Sequence, residues 1–248
     1  VDGKVYSQIP DSDGTDIDTA VSAAKEAFKT WSKLSKKDRH NHIMRLAVEI
    51  DNNFDELVAA ESKDNGKPEH LARSVDIPRS SENFRFFATA SLHFDSEVHE
   101  MDGKALNYTL RQPVGVVGCI SPWNLPLYVL TWKIAPALAA GNTVVAKPSE
   151  ITPLTAYLFS EICQKANFPK GVLNIVHGYG HKVGDALSRH SDVPVISFTG
   201  GTATGEKIAA VAAPMFKKLS LELGGKNPNI VFADAEFDNS VDMAVKAA

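Results

Sequence analysis

The sequence predicts an α/β chain with a Rossmann-like open parallel sheet, helices on both faces, preceded by a helical segment and a protruding strand arm. Three observations predict it. From Pro113 onward, short β-branched runs take turns with helical patterns, an alternation that yields a parallel sheet covered on both sides. Residues 97–112 instead alternate with a period of two, Ala105, Asn107, Thr109 and Arg111 against Leu106, Tyr108 and Leu110, as an exposed strand does. Before them lies a stretch written at helical spacing.

Taken in order, residues 1–14 read as a strand remnant and a turn, Asp11-Ser12-Asp13-Gly14. A helix follows from about Asp16, with Ile17, Val21, Ala24 and Phe28 on one face. Ser35 and Asp38 have the spacing of a capping box. Ile43, Leu46, Ala47, Ile50, Phe54 and Leu57 then form one apolar stripe on a second helix, which Gly66-Lys67-Pro68 ends. A third helical stretch runs to about Leu92 and is interrupted near Pro78. The expected sheet strands are Val114–Ile120, Thr143–Lys147, Val172–Val176, Pro194–Phe198, Lys218–Leu221 and Asn229–Phe232. One intervening helix takes Thr152 as cap and Pro153 in its first turn.

With 248 residues, 44% hydrophobic, the chain can bury a sizeable core, as one large domain or two small ones. A formal net charge of -4 argues against nucleic acid or an anionic membrane as partner, and no apolar run reaches membrane-spanning length. Cys119 and Cys163 imply no disulfide framework, so a reducing, cytoplasmic setting is the default. No metal site is expected: His40 and His42 are two apart, and two distant cysteines do not hold zinc. A serine hydrolase has no GxSxG elbow here.

In open parallel sheets ligands sit beyond the carboxyl ends of the strands. After the first strand come Ser121-Pro122-Trp123-Asn124-Leu125-Pro126, where prolines fix the backbone and the Asn124 amide suits a developing oxyanion. Trp123 reads either as a ligand-facing ring or as a core aromatic. After the second strand, Lys147 and Glu150 suit ribose hydroxyls or, alternatively, form a surface ion pair; Glu150 would repel a 2′-phosphate. Gly178-Tyr179-Gly180-His181-Lys182-Val183-Gly184 misses the dinucleotide fingerprint by one residue and reads as a loop and helix entry. Gly200-Gly201-Thr202-Ala203-Thr204-Gly205 opens a helix whose free amides suit a pyrophosphate. Finally, Glu222 between Leu221 and Leu223 reads as a desolvated general base with a raised pKa, or else as a solvated strand-end charge.

Together these motifs resemble the aldehyde dehydrogenase superfamily. Pro113-Val114-Gly115-Val116-Val117-Gly118, Pro122-Trp123-Asn124, Lys147-Pro148-Ser149-Glu150, Phe198-Thr199-Gly200 and Leu221-Glu222-Leu223-Gly224-Gly225-Lys226 stand in that family's order and spacing. The resemblance implies that NAD is the cofactor and that Asn124 donates to the oxyanion of a thiohemiacetal. It implies that Glu222 activates the deacylating water and that Lys147 and Glu150 hold the adenosine ribose. Gly201 and the helix it opens would face the pyrophosphate, Trp123 would line the cofactor cleft, and Gly205, Phe198 and Leu223 would be further cofactor-binding residues. It divides the chain into residues 1–96 as the helical part of the cofactor domain, 97–112 as an oligomerisation arm and 113–248 as the Rossmann-like part. A homodimer or homotetramer would be the assembly.

One departure stands out. The family's nucleophilic Cys lies roughly three dozen residues beyond the general-base Glu, which is past Ala248, and neither Cys119 nor Cys163 takes its place. The expectation is a cofactor-binding half without its catalytic domain, inactive alone. Its rival is a stand-alone NAD-binding or structural module. Asp76-Ile77-Pro78-Arg79 and Asn83-Phe84-Arg85-Phe86-Phe87 resemble the 2-aminomuconate and 2-hydroxymuconate semialdehyde dehydrogenase group. That implies a carboxylated aldehyde, with Arg79 as the cation for its carboxylate or, alternatively, as a helix-surface ion-pair residue.

Overall fold

The computed structural model describes residues 4–247. Residues 1–3 of the expected strand remnant lie outside the described residues, and 4–10 have no regular structure. Asp13 belongs to a cap rather than a free turn. Its carboxylate accepts from the Thr15 amide at 2.8 Å, and Asp16 answers by accepting from the Asp13 amide at 3.0 Å. That reciprocal box starts α1 (Gly14–Trp31). Ser35 caps α2 (Lys36–Asn52) through the Asp38 amide, while its hydroxyl donates to the Asp38 carboxylate at 2.7 Å.

The long stripe expected for one helix is carried by two. Asn53 breaks it: at φ -107° and ψ 23° its side chain donates to Glu49 O at 2.7 Å, so α2 stops and α3 (Phe54–Asn65) starts afresh. Gly66, left-handed at φ 79°, ends α3. The short α4 (Glu69–Leu71) runs through a π turn (Ala72–Asp76) into α5 (Ile77–Leu92). Pro78 interrupts nothing, because it sits in the first turn of α5, where its missing N–H is tolerated.

The arm is a two-stranded antiparallel hairpin, β1 (Val98–Met101) and β2 (Ala105–Tyr108), all of it exposed. Asp102 and Gly103 turn it with φ 47° and 71°, the left-handed pair that a tight hairpin turn requires.

Five parallel strands form the main sheet: β3 (Val116–Ile120), β4 (Thr143–Lys147), β5 (Leu173–Ile175), β6 (Val195–Thr199) and β7 (Lys218–Glu222). Their order is β5-β4-β3-β6-β7. Between them run α6 (Pro126–Ala139), α7 (Leu154–Lys165), α8 (Asp185–Arg189) and α9 (Thr202–Ala212), and α10 (Phe237–Ala247) follows. One face of the sheet presents Val117, Cys119, Val144 and Ala146 to Leu127, Leu130 and Ile134 of α6 and to Phe159 of α7. The other presents Val116, Ile120, Val145, Ile196 and Phe198 to α1, to Leu187 and to Ile208. β3 is buried on both sides throughout.

Asn229–Phe232 is not a strand. It is irregular, with Ile230 and Phe232 more than 70% exposed, and β7 has no sheet neighbour on that side among the described residues. Without a ladder to join, β-branched residues alone do not make a strand.

The buried face of α3 carries an unusual carboxyl group. Glu61 is fully buried, and neither of its carboxylate oxygens has a hydrogen-bond partner among the described residues. Burial pushes its pKa from 4.5 up to about 7; Asp76 and Asp64 add to the rise, and the Lys67 ammonium opposes it. The folded chain therefore holds a proton there that the unfolded chain releases above its ordinary value. This contribution is present below pH 4.5 and is lost as pH rises through about 7, on the order of 3 kcal/mol in all. Glu61→Gln, which stays neutral, should remove that slope. Urea unfolding of wild type and variant at several values across this window checks it, and parallel slopes would contradict it.

Candidate active site

All five strands point the same way, so their carboxyl ends meet at one edge. The loop leaving β3 runs through Trp123 and Asn124 to Pro126, the first residue of α6. Trp123 is 52% exposed, so it is no core aromatic. Asn124 is exposed, and its side-chain amide makes no hydrogen bond among the described residues. Its backbone carbonyl accepts from Asn65 Nδ2 at 3.3 Å and Lys67 Nζ at 3.2 Å. The Trp123 carbonyl accepts from Asn65 Nδ2 and Thr152 Oγ1, each at 2.9 Å. Thr152 thus spends its hydroxyl on this loop and is not the cap of α7, whose cap position is Pro153.

Glu222 closes β7, two strands from β3 and roughly 10 Å away at ordinary strand spacing. The expected desolvation by Leu221 and Leu223 is not found, since Glu222 is exposed. The reason is the period of a strand. Leu221 packs toward the face of α1 and Ile208, and Leu223 against Gly205, while Glu222 between them points to the other side. That side is also the α6 side. Ser197, in register with Cys119 and Ser220, accepts from Lys133 Nζ of α6 at 3.2 Å. Lys133 is buried, which lowers its pKa, and the Cys119 thiol and the Glu222 carboxylate oppose that shift. Glu222 and the helix that Asn124 introduces therefore share one face of the sheet.

Lys147 lies on the opposite face with Val145 and Ile120, and its buried ammonium pairs with Glu150. The other Glu150 oxygen accepts from the Gly180 amide at 3.2 Å. Burial opposes ionisation of Glu150, but Lys147 and the backbone donors outweigh it and hold the pKa below the usual carboxylate value. The Gly178–Gly184 segment enters a π turn (Gly180–Gly184) and then α8, as expected of a helix entry, and it also props Glu150.

The second glycine turn ends at Gly201, the cap position of α9, which has no side-chain cap. The first amides of that helix are thus free to meet an anion. A Cβ at Gly201 would touch nothing within 4 Å, whereas one at Gly205 would lie 2.5 Å from Leu223 Cδ2. Phe198 does not line a cleft. It is 4% exposed and packed in the core below Gly200.

Arg79 lies on α5, exposed, with a loose 3.8 Å ion pair to Glu82. One turn along, Asn83 Nδ2 donates to Tyr128 O and Thr131 Oγ1 of α6, tying that face of α5 beside the Asn124 loop. Burial pushes the Cys119 and Cys163 thiols up to about 12, which makes them poor nucleophiles. Among the described residues no cluster of His, Cys, Asp or Glu is arranged to hold a metal, and no helix is long and apolar enough to cross a membrane.

Sequence reasoning missed Lys133, Asn65 and Lys67. Lys133 had a signal, a charge set between Leu130 and Ile134 on an otherwise apolar helix. Asn65 and Lys67 had none, because they resemble ordinary helix-end residues.

The family model "Aldehyde dehydrogenase family" matches residues 1–248. The 2-aminomuconic semialdehyde dehydrogenase of Danio rerio is 56% identical over 247 residues, 99% of this chain and 51% of that protein. The 2-hydroxymuconic semialdehyde dehydrogenase of Pseudomonas sp. (strain CF600) is 47% identical over 251 residues, 99% of this chain and 52% of that one. The crystal structure of PnpE in complex with nicotinamide adenine dinucleotide superposes with a TM-score of 0.94 at 45% identity, covering 97% of this chain and 50% of that one. The chain spans about half the length of the curated relatives it matches.

The glycine turn offers a stability test that needs no ligand. A Cβ at Gly200 would lie 2.5 Å from the buried Phe198 ring, so Gly200→Ala should cost about 1–3 kcal/mol by overpacking. Gly201→Ala meets open space at φ -68° and should cost less, about the loss of a good cap residue. Denaturant midpoints decide it, and equal costs would refute the packing account.

Proposed function

The chain belongs to the aldehyde dehydrogenase family, and from that we propose that it is the cofactor-binding part of an NAD-dependent enzyme oxidising an aldehyde to its acid. One observation carries the reading: Asn124, Glu222, the uncapped start of α9 and the Lys147–Glu150 pair all lie at one sheet edge. The residues present fit the dinucleotide. Free helix amides with open space at Gly201 suit its pyrophosphate, and a carboxylate held ionised suits ribose hydroxyls while disfavouring a 2′-phosphate. When bound, NAD supplies the two-electron acceptor that the oxidation needs.

The chain's own residues do the rest of what this reading assigns to it. The Asn124 amide donates to the aldehyde oxygen as it gains negative charge under attack by a thiolate. Glu222 then takes a proton from the water that attacks the acyl thioester. Its exposure leaves it open to that water. The thiolate comes, in this reading, from a cysteine outside residues 1–248, because Cys119 and Cys163 are buried with raised pKa values. Residues 1–248 alone should then show no turnover.

Two experiments on the full-length protein test these assignments. Glu222→Gln should keep a single-turnover burst of NADH absorbance yet lose steady-state turnover by about 100-fold or more. Unchanged steady-state turnover would remove Glu222 from deacylation. The substrate is proposed to be a carboxylated semialdehyde, recognised by Arg79, whose guanidinium is only loosely engaged by Glu82. Arg79→Met should raise KM about tenfold to a hundredfold for such a substrate and leave KM for an uncharged aldehyde unchanged. Equal effects on both substrates would exclude Arg79 as the carboxylate's partner.

A further inference from the structure

We infer that Lys67 and Asn65 are positioning residues for the Asn124 amide, acting through the backbone carbonyls of the loop that carries it. The inference rests on the oxyanion reading of Asn124.

The Asn124 side chain has no hydrogen bond of its own among the described residues, so its aim is set by its backbone. That backbone is irregular, between the end of β3 and the start of α6, and no ladder or helix bond orients the Trp123 and Asn124 carbonyls. Side chains orient them instead. Gly66, left-handed at φ 79°, reverses the chain after α3, so the residues on either side of it reach the same target. Asn65 Nδ2 donates to Trp123 O at 2.9 Å and Asn124 O at 3.3 Å, and Lys67 Nζ donates to Asn124 O at 3.2 Å.

Lys67 is itself held. Its ammonium bonds Asp76 Oδ2 at 2.6 Å, with the Lys67 side chain 14% and the Asp76 side chain 1% exposed. An ammonium has three donors in fixed relative directions. Spending one on a buried carboxylate therefore fixes where the others point. A partner for Asp76 alone would not need to reach Asn124, yet this amine bridges the two. The buried Asp76, at the end of the π turn, thereby supports an exposed loop, and small errors in such a support are costly for a reacting group.

The test uses the full-length protein with NAD and a semialdehyde substrate, comparing Asn65→Ala, Lys67→Met and Asn124→Ala singly and with each support variant combined with Asn124→Ala. Asn124→Ala should slow kcat about a hundredfold or more. Asn65→Ala and Lys67→Met should each slow it about tenfold to a hundredfold, with the dissociation constant for NAD unchanged. In the Asn124→Ala background neither should slow it further, since a support has nothing left to aim. Lys67→Met leaves Asp76 unpaired; if that variant does not fold, Asn65→Ala, half-buried and uncharged, decides alone. Wild-type kcat in the folded support variants overturns the inference, and so does the same loss with and without the Asn124 amide. If Asn124→Ala itself turns over like wild type, the oxyanion reading fails and the inference with it. A slow Asn124→Ala beside fast support variants sinks the inference alone.

Discussion

The structure depends on the burial of β3 from both sides. Its five residues are all buried, with β4 and β6 bonded in register along it and helices packed over each face. Gly118 shows how tight this is: a Cβ there would lie 2.7 Å from Ile196 Cδ1 and 3.2 Å from both Leu187 and Val193. A strand so enclosed cannot slide by one residue without sending its core side chains to the wrong face. The Asn124 loop starts from its end, so an exposed amide is built on a strand held by a ladder on each side and a packed layer on each face.

Buried charge follows from the same enclosure. Lys147 and Lys67 are taken from water only with a carboxylate within reach, Glu150 and Asp76, because an unpaired ion in a packed interior costs several kcal/mol. Glu61 and Lys133 make no ion pair among the described residues, and burial moves the pKa of each toward its neutral form. The paired charges sit under the sheet-edge loops and fix them in place. They act as struts, while Asn124 and Glu222 at the same edge stay exposed to solvent.

Much of this was legible in the sequence. Alternation of short apolar runs with helical patterns gave all five sheet strands within a residue or two, because a strand buried on both faces has a composition of its own. The glycine turn before α9 and the arm were readable for the same local reasons. What the apolar pattern did not carry were particular polar bonds and missing neighbours. Asn53 splits a helix by a bond to its own backbone neighbourhood, which a stripe of apolar residues cannot reveal. Asn229–Phe232 has strand composition but no strand beside it among the described residues. Thr152 serves Trp123 rather than α7 because a residue 29 positions away competes for its hydroxyl. For Glu222 the exposed alternative holds for a simpler reason: Leu221 and Leu223 are on the other side of the strand, so adjacency in sequence does not bury it.

The distribution of groups over the two faces carries a last consequence. Lys147 belongs to the α1 side of the sheet with Ile120, and α9 packs on that side through Ile208. Glu222 belongs to the α6 side with Ser197 and Lys133, and Asn124 stands at the head of α6. A ligand that touches all of these has to cross the carboxyl edge from one face to the other, passing the α9 amides on the way. An extended molecule with hydroxyls at one end, anionic charge in the middle and its reacting part at the other end matches that order. A compact ligand would reach one set or the other. The sheet's own alternation of side chains, rather than any single motif, is what separates the Lys147–Glu150 end of this edge from the Glu222 end.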